Sequence, residues 1–444
     1  MQAVENMARQ RVPRGSPAVG WRVVAAYGAV AAATQMLWLT YAAITTESAH
    51  RYGVSVGAIG WLAEIFPLLY VVLAIPAGAL LDRWFRPSLA LGGALVAAGG
   101  LVRLGGLTFA WALVGQSLIA LAQPVVMSAV AKLPGEYLPT HSRALGISLA
   151  SAAGFVGMLA ALLLGPLLGA SRLELLLEIQ AALAVLAAIA LALTLRRRGS
   201  GEGEQTAIER GVARALWARP EIRVMSGLAF LGFGVFVALS TWLQTLLQPS
   251  GISETAAGAL LVGMILAGVV GCAVLPAAIA ARGAERRFMA AVVVVGGLGC
   301  VALGVLPGIA GRAVVMAAMG AVLLPALPVL MTVAERLAGP AAGTAGAIVW
   351  MAGNLGGLVV ALLVQALVHH PLAAFVAMGA VVLFAIPLAT RMVTLRGISD
   401  APSGEGATAD RQPHRTSGVG ASADGGPDRT PEPGELAAAR PAGP

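Results

Sequence analysis

The feature that most constrains this chain is the recurrence of apolar segments about as long as a bilayer is thick. One of them, "GWLAEIFPLLYVVLAIPAGALL" (Gly60–Leu81), carries a single charge, Glu64. A helix needs about 20 apolar residues to cross the hydrocarbon core. Twelve segments of this kind can be read, at roughly 22–44, 55–81, 88–107, 109–131, 144–169, 173–195, 224–247, 254–281, 288–306, 311–334, 342–368 and 372–394. Lipid offers no hydrogen-bond partner to a bare backbone, so a spanning segment must be a helix or part of a closed barrel. Barrel strands would read as short alternating segments instead. An all-α membrane protein with twelve transmembrane helices is therefore expected.

Charge placement orients the chain. Only 11% of residues are charged, against about a quarter in a soluble protein. Of the 29 Lys and Arg residues, only Arg51, Arg103, Arg172 and Arg312 fall on one side of the alternating spans. The excess on the other side places both termini in the cytoplasm of a multi-pass cell-membrane protein. It also explains the net charge of +8 without a nucleic-acid partner. The apolar stretch after Trp21 is too long for a signal-peptide core. The expected organisation is a cytoplasmic segment 1–21, a first bundle 22–196, a central loop 197–222, a second bundle 223–395 and a disordered tail 396–444. The tail's Gly, Pro, Ser and Asp cannot bury a core.

The two halves repeat. "GVSVGAIG" (Gly53–Gly60) matches "GISETAAG" (Gly251–Gly258), and "PAGALLDRWFR" (Pro76–Arg86) matches "PAAIAARGAER" (Pro276–Arg286). "QPVVMSAVAK" (Gln123–Lys132) matches "LPVLMTVAER" (Leu327–Arg336), and "WL" at Trp38 recurs at Trp242. The order is the same throughout, which implies two pseudo-symmetric six-helix bundles around a shared midplane cavity.

At "GALLDRWFR" (Gly78–Arg86) the chain resembles the major facilitator superfamily. The stretch is similar to that superfamily's loop between spans two and three, although Trp84 and Phe85 replace the usual glycine. The resemblance implies the major facilitator fold and an inner gate latched by Asp82, with Arg83 and Arg86 as its local charge partners. Within the superfamily, Trp38–Arg86, Gly115–Leu133 and Gly343–Gly357 resemble the feline leukaemia virus subgroup C receptor family. That family moves choline-type amines or, in some accounts, haem. The resemblance implies a cavity lined by Trp38, Gln123 and Asn354, with Asn354 standing where the family has glutamine. It implies an apolar residue at the position of Glu64. "GPLLGA" (Gly165–Ala170) is similar instead to the end of the span-five signature of proton-coupled drug antiporters.

Other polar groups in the spans extend the candidate site. Trp38 and Tyr41 lie three apart, on one face if the helix continues. An aromatic face holds a quaternary ammonium by cation–π attraction of about 0.5–2 kcal/mol. Trp242, Trp350, Gln35, Gln116 and Gln244 are further candidates. Glu64 costs about 2.5–3.5 kcal/mol or more if it sits at the bilayer centre. It can bind a proton or pair with a cationic substrate, and Arg103 can either neutralise it or snorkel. Cys272 and Cys300 lack metal-ligand spacing, the histidines fall in loops or the tail, and no phosphate-binding loop occurs. No enzymatic activity, metal or cofactor is expected. The expected partners are a small-molecule substrate, the lipid bilayer and protons, with the chain a monomer. The reading is a secondary transporter of a small organic solute. Its alternatives are a proton-coupled drug or metabolite exporter and a non-transporting receptor.

Overall fold

The computed structural model describes residues 17–168, 172–197 and 211–392. Residues 1–16 of the first expected segment, 198–210 of the central loop and the whole tail at 396–444 lie outside the described residues. Every regular element among the described residues is helical. The first half of the chain holds α1 (Pro17–Trp38), the short α2 (Thr45–Tyr52), α3 (Val56–Arg83), α4 (Phe85–Val102), α5 (Phe109–Tyr137), α6 (Thr140–Leu168) and α7 (Leu173–Leu195). The second holds α8 (Val212–Ala218), α9 (Pro220–Leu247), α10 (Glu254–Arg282), α11 (Glu285–Val305), α12 (Ile309–Ala338), α13 (Ala342–Ala366), α14 (Pro371–Leu383) and α15 (Ile386–Thr390). Ten stretches of the described residues are long and apolar enough to cross a membrane, fewer than the twelve read from the sequence. One of the ten, Ile309–Ala366, contains both α12 and α13. Helices also run past their apolar cores: α5 was expected to end before Lys132, but continues to Tyr137 with that lysine buried inside it.

The sequence repeat is a repeat of turn chemistry. Gly53 and Gly251 both take left-handed φ values, 65° and 75°. Glycine enters that region without a Cβ penalty, which suits a helix-ending residue. Two residues on, Ser55 and Ser253 are extended, and each side chain accepts a 3.2 Å bond from the backbone N–H three residues later, of Ala58 and Ala256. Each serine thereby satisfies one of the donors that a helix start leaves orphaned.

Close crossings repeat as well. A Cβ on Gly157 of α6 would run into the Ala32 carbonyl of α1, and one on Gly356 of α13 into the Phe230 carbonyl of α9. Lipid is as apolar as a leucine, so helices associate in it through such small-residue approaches rather than through the hydrophobic effect. Gly157 and Gly356 are 199 residues apart, while Ala32 and Phe230 keep the 198-residue spacing of Gly53 and Gly251. That spacing puts Phe236, and not Trp242, opposite Trp38. Across the halves, α3 packs on α13 and α6 on α10.

Candidate functional site

A cavity of ≈ 290 Å³ lies between the halves, toward the end of the bundle at which α1 stops and α3 begins. Trp38 and Glu64 line it from the first half, and Phe236, Ser240, Thr241 and Asn354 from the second. Three residues singled out in the sequence, Trp38, Glu64 and Asn354, are thus brought together from α1, α3 and α13. The volume suits a small organic molecule.

Trp38 is held by a backbone defect. Proline at position 67 has no N–H, so the carbonyl four residues earlier, on Ala63, loses its helical donor. The Trp38 indole Nε1–H donates to that carbonyl at 3.0 Å. Gln116 ties the same two segments together, its Nε2 donating to the carbonyls of Leu37 and Leu62 at 3.2 Å each. The indole edge is therefore fixed in protein while its ring lines the cavity beside Phe66, 6.1 Å away between centroids. Asn354 is buried, and its Nδ2 donates to the Trp350 carbonyl at 2.9 Å.

Glu64 is exposed to the cavity and has no ion-pair or hydrogen-bond partner among the described residues. Arg103 does not neutralise it and does not snorkel. It is 1% exposed and donates to Thr40 Oγ1 (3.0 Å), Gln116 Oε1 (3.3 Å) and Gln180 Oε1 (3.1 Å). The guanidinium is spent on fixing the end of α1, which leaves the carboxylate as the one titratable group among the cavity's lining residues.

Seven of the candidate residues lie elsewhere, Gln35, Gln116 and Trp350 among them. Tyr41 does not share a face with Trp38, because α1 ends at Trp38 and helical spacing ends with it. Tyr41 is buried instead in a separate cluster under α2, its hydroxyl 3.1 Å from that of Tyr52. Burial, and secondarily Tyr41, pushes the Tyr52 phenol up. Gln123 is 4% exposed and donates to Gln35 Oε1 at 3.1 Å, deeper than the cavity. Trp242 is not among the cavity-lining residues, since Phe236 occupies the position related to Trp38. Gln244 is exposed, also away from the cavity.

The opposite end of the bundle is closed by a clamp centred on Asp82. Its fully buried carboxylate caps the start of α13. Oδ1 accepts from the Gly343 N–H (2.8 Å), and Oδ2 from the Thr344 N–H (2.7 Å) and the Thr344 hydroxyl. The first N–H groups of a helix are orphaned and carry a partial positive charge, so a carboxylate is favoured there. The approach needs glycine: a Cβ on Gly343 would meet Asp82 Oδ1, and one on Gly78 would meet Thr344. The cation of the clamp is Lys132, not the expected Arg83 or Arg86. Its Nζ lies 3.1 Å from Asp82 Oδ1 and donates to the Pro340 carbonyl at 3.1 Å. Arg83 lies over the Trp84 ring, and Arg86 reaches the Leu195 carbonyl. The neighbours in sequence point away because α3 ends at Arg83, while Lys132 rides the buried face of α5.

A second link, Arg143 Nη1 to Glu335 Oε1 at 2.8 Å, joins α6 to α12 beside it. Lys132, Arg143, Glu335 and Thr344 were not singled out from the sequence. For Lys132 and Glu335 the signal available was the matched pair "AVAK" and "VAER", which sets charge within the last two turns of α5 and α12.

Comparison with known proteins places this geometry. A family model described as Major Facilitator Superfamily matches residues 23–361. Solute carrier family 49 member A3 of Danio rerio is 31% identical over 271 residues, covering 56% of this chain and 57% of that protein. The human Choline/ethanolamine transporter FLVCR2 is 28% identical over 152 residues, 33% of this chain and 29% of that protein. The chain thus spans little more than half the length of the first relative and less of the second. Among solved structures, the human organic anion transporter MFSD10 (TETRAN) superimposes with a TM-score of 0.66 at 16% identity, over 83% of this chain and 99% of that one. A variant of the E. coli fucose:proton symporter FucP gives 0.63 at 16% identity, over 82% and 98%. At that identity the likeness speaks to the fold alone.

Proposed function

The chain belongs to the Major Facilitator Superfamily, and on that premise we propose that it is a secondary transporter moving a small organic solute across the cell membrane by alternating access. The observation that carries this reading is one cavity, built by both halves, sealed at the Asp82 end and lined by Trp38, Glu64 and Asn354 at the other. The arrangement corresponds to a state that faces outward, with both termini and the clamp on the cytoplasmic side. Splitting Ile309–Ala366 into α12 and α13 and adding Pro17–Trp38 to the ten candidate spans brings the count to twelve. Six helices fall in each half, with bundles 22–196 and 223–395, and the protein works as a monomer.

The solute is an amine or choline-like cation. A lone carboxylate opposite an aromatic face attracts such a group, whereas the acidic groups of a haem-like compound would be repelled by it. The relative named as a choline/ethanolamine transporter is consistent with this choice. A second reading, proton-coupled export of drugs or metabolites, is favoured by the same residue: a carboxylate without a protein partner can take up a proton.

Reconstitution in liposomes separates the two. Uptake of choline and ethanolamine, driven by their own gradients and indifferent to a pH gradient, supports the first reading. Drug or metabolite flux that follows the pH gradient supports the second. Absence of flux for amines, haem and a drug panel alike would count against transport.

A further inference from the structure

We propose that a small pocket behind the cavity is a second station for the solute, one that binds a hydrogen-bond-accepting oxygen such as a hydroxyl or carbonyl. This rests on the alternating-access reading. The pocket, ≈ 20 Å³ in volume, is lined by Tyr27, Gln35, Ser151 and Phe155 of the first half and by Leu327 and Trp350 of the second. That volume admits little more than one water.

Two of its donors are uncommitted. Trp350 is 8% exposed, and its Nε1–H has no partner among the described residues. Gln35 uses its oxygen to accept from Gln123, while its amide N–H groups take no partner among the described residues. Tyr27 is already spent, donating to the Val126 carbonyl at 2.7 Å. Buried donors in native proteins are nearly always bonded, and one that is not calls for an explanation. A ligand that arrives in another state of the cycle supplies it. No formal charge lines the pocket, so the group received there is uncharged.

The pocket lies on the line between cavity and clamp. Along α13, Thr344 sits at the clamp, Trp350 at the pocket and Asn354 at the cavity, separated by about 9 Å and about 6 Å of helix rise. An aromatic partition divides the last two. Phe155, which lines the pocket, meets Phe236, which lines the cavity, edge to face at 6.2 Å. Phe233 backs both Phe236 (5.6 Å) and Trp350 (5.5 Å).

The test needs no knowledge of the substrate. In a C272A/C300A background, Ser151→Cys reports the pocket and Thr241→Cys the cavity, each probed with a membrane-impermeant maleimide on intact cells and on inverted vesicles. From outside, T241C should react at least ten-fold faster than S151C, and F155A/F236A should erase most of that difference while F155L/F236L keeps it. Loosening the clamp with D82N, or with K132Q if D82N does not fold, should expose S151C to the cytoplasmic side and slow T241C from outside. In addition, replacing Trp350 by benzothienylalanine, which keeps the bicyclic ring and lacks the N–H, should leave the melting temperature unchanged or raised, because that N–H has no partner among the described residues.

S151C reacting as fast as T241C in the parent would show that there is no partition. S151C inert from both sides in the D82N and F155A/F236A variants would show a packing void. A fall in melting temperature on that isosteric replacement would show a donor already in use. If S151C behaves as expected while T241C ignores D82N, the fault lies with alternating access instead.

Discussion

The indole N–H of Trp38 sits 3.0 Å from the carbonyl of Ala63, the carbonyl that Pro67 deprives of a helical donor. A proline in α3 and a tryptophan at the end of α1 are therefore one unit. The first prediction is non-additivity. Trp38→Phe should orphan the Ala63 carbonyl and cost about 1–3 kcal/mol. In a Pro67→Ala background the new N–H at position 67 satisfies that carbonyl, so the same change should cost markedly less. Chemical or thermal unfolding of the four proteins in detergent measures the coupling. Equal costs in both backgrounds would refute the unit.

Trp38→Ala should also weaken substrate recognition. One cation–π contact is worth about 0.5–2 kcal/mol, so the apparent KM for a transported amine should rise by about 2- to 30-fold, with Trp38→Phe in between. The idea fails if apparent affinity for every transported amine is unchanged in liposome uptake.

Glu64 is the one titratable group lining the cavity, and among the described residues no cation shares its charge. Glu64→Gln should lower amine uptake at least ten-fold if the carboxylate pairs with the solute. If it carries the coupled proton, the variant should retain downhill flux and lose the response to a pH gradient. Uptake with and without an imposed gradient distinguishes these outcomes, and wild-type behaviour in both assays would remove Glu64 from the mechanism.

The clamp should answer to Lys132 rather than to the arginines beside Asp82. Removing one partner of a buried ion pair costs about 3–5 kcal/mol. Asp82→Ala and Lys132→Ala should therefore both destabilise the outward-facing state and depress transport strongly. Arg83→Ala, which loses only a contact over Trp84, should have a small effect. Charge reversal at Arg143 should impair transport, and the R143E/E335R double variant should recover part of it. An Arg83→Ala variant as damaged as Lys132→Ala would overturn this assignment.

The repeated crossings set a stability limit. Gly157→Ala and Gly356→Ala each place a methyl group on a backbone carbonyl, with no flexible side chain to move aside. Both should lower the melting temperature by several degrees or more, whereas Gly258→Ala, which meets open space, should not. Thermal unfolding of the purified variants checks this.

What the sequence determined by itself follows from the bilayer. Apolar length dictates helices, the Lys and Arg bias dictates alternation, and the repeated Gly-x-Ser turns, with Gly53 and Ser55 answered by Gly251 and Ser253, reveal two related halves. Those signals are local or periodic, so one strand of text carries them. Trp38, Glu64 and Asn354 were visible as polar or aromatic residues inside apolar spans, and Asp82 through the resemblance of Gly78–Arg86 to the superfamily's loop.

Tertiary structure decided the partnerships. Lys132 looked like the end of a span, yet the buried face of α5 delivers it to Asp82, while Arg83 and Arg86, nearer in sequence, turn elsewhere. Tyr41 lost its place beside Trp38 because the helix stopped, and Arg103 was spent on Thr40, Gln116 and Gln180 rather than on Glu64. Phe236 displaced Trp242 because the spacing of close crossings, not the match of two letters, sets which residues face each other. A side chain's partner depends on where its helix ends and on which neighbour glycine lets it approach. Both are properties of packed helices that residue spacing along one chain does not encode.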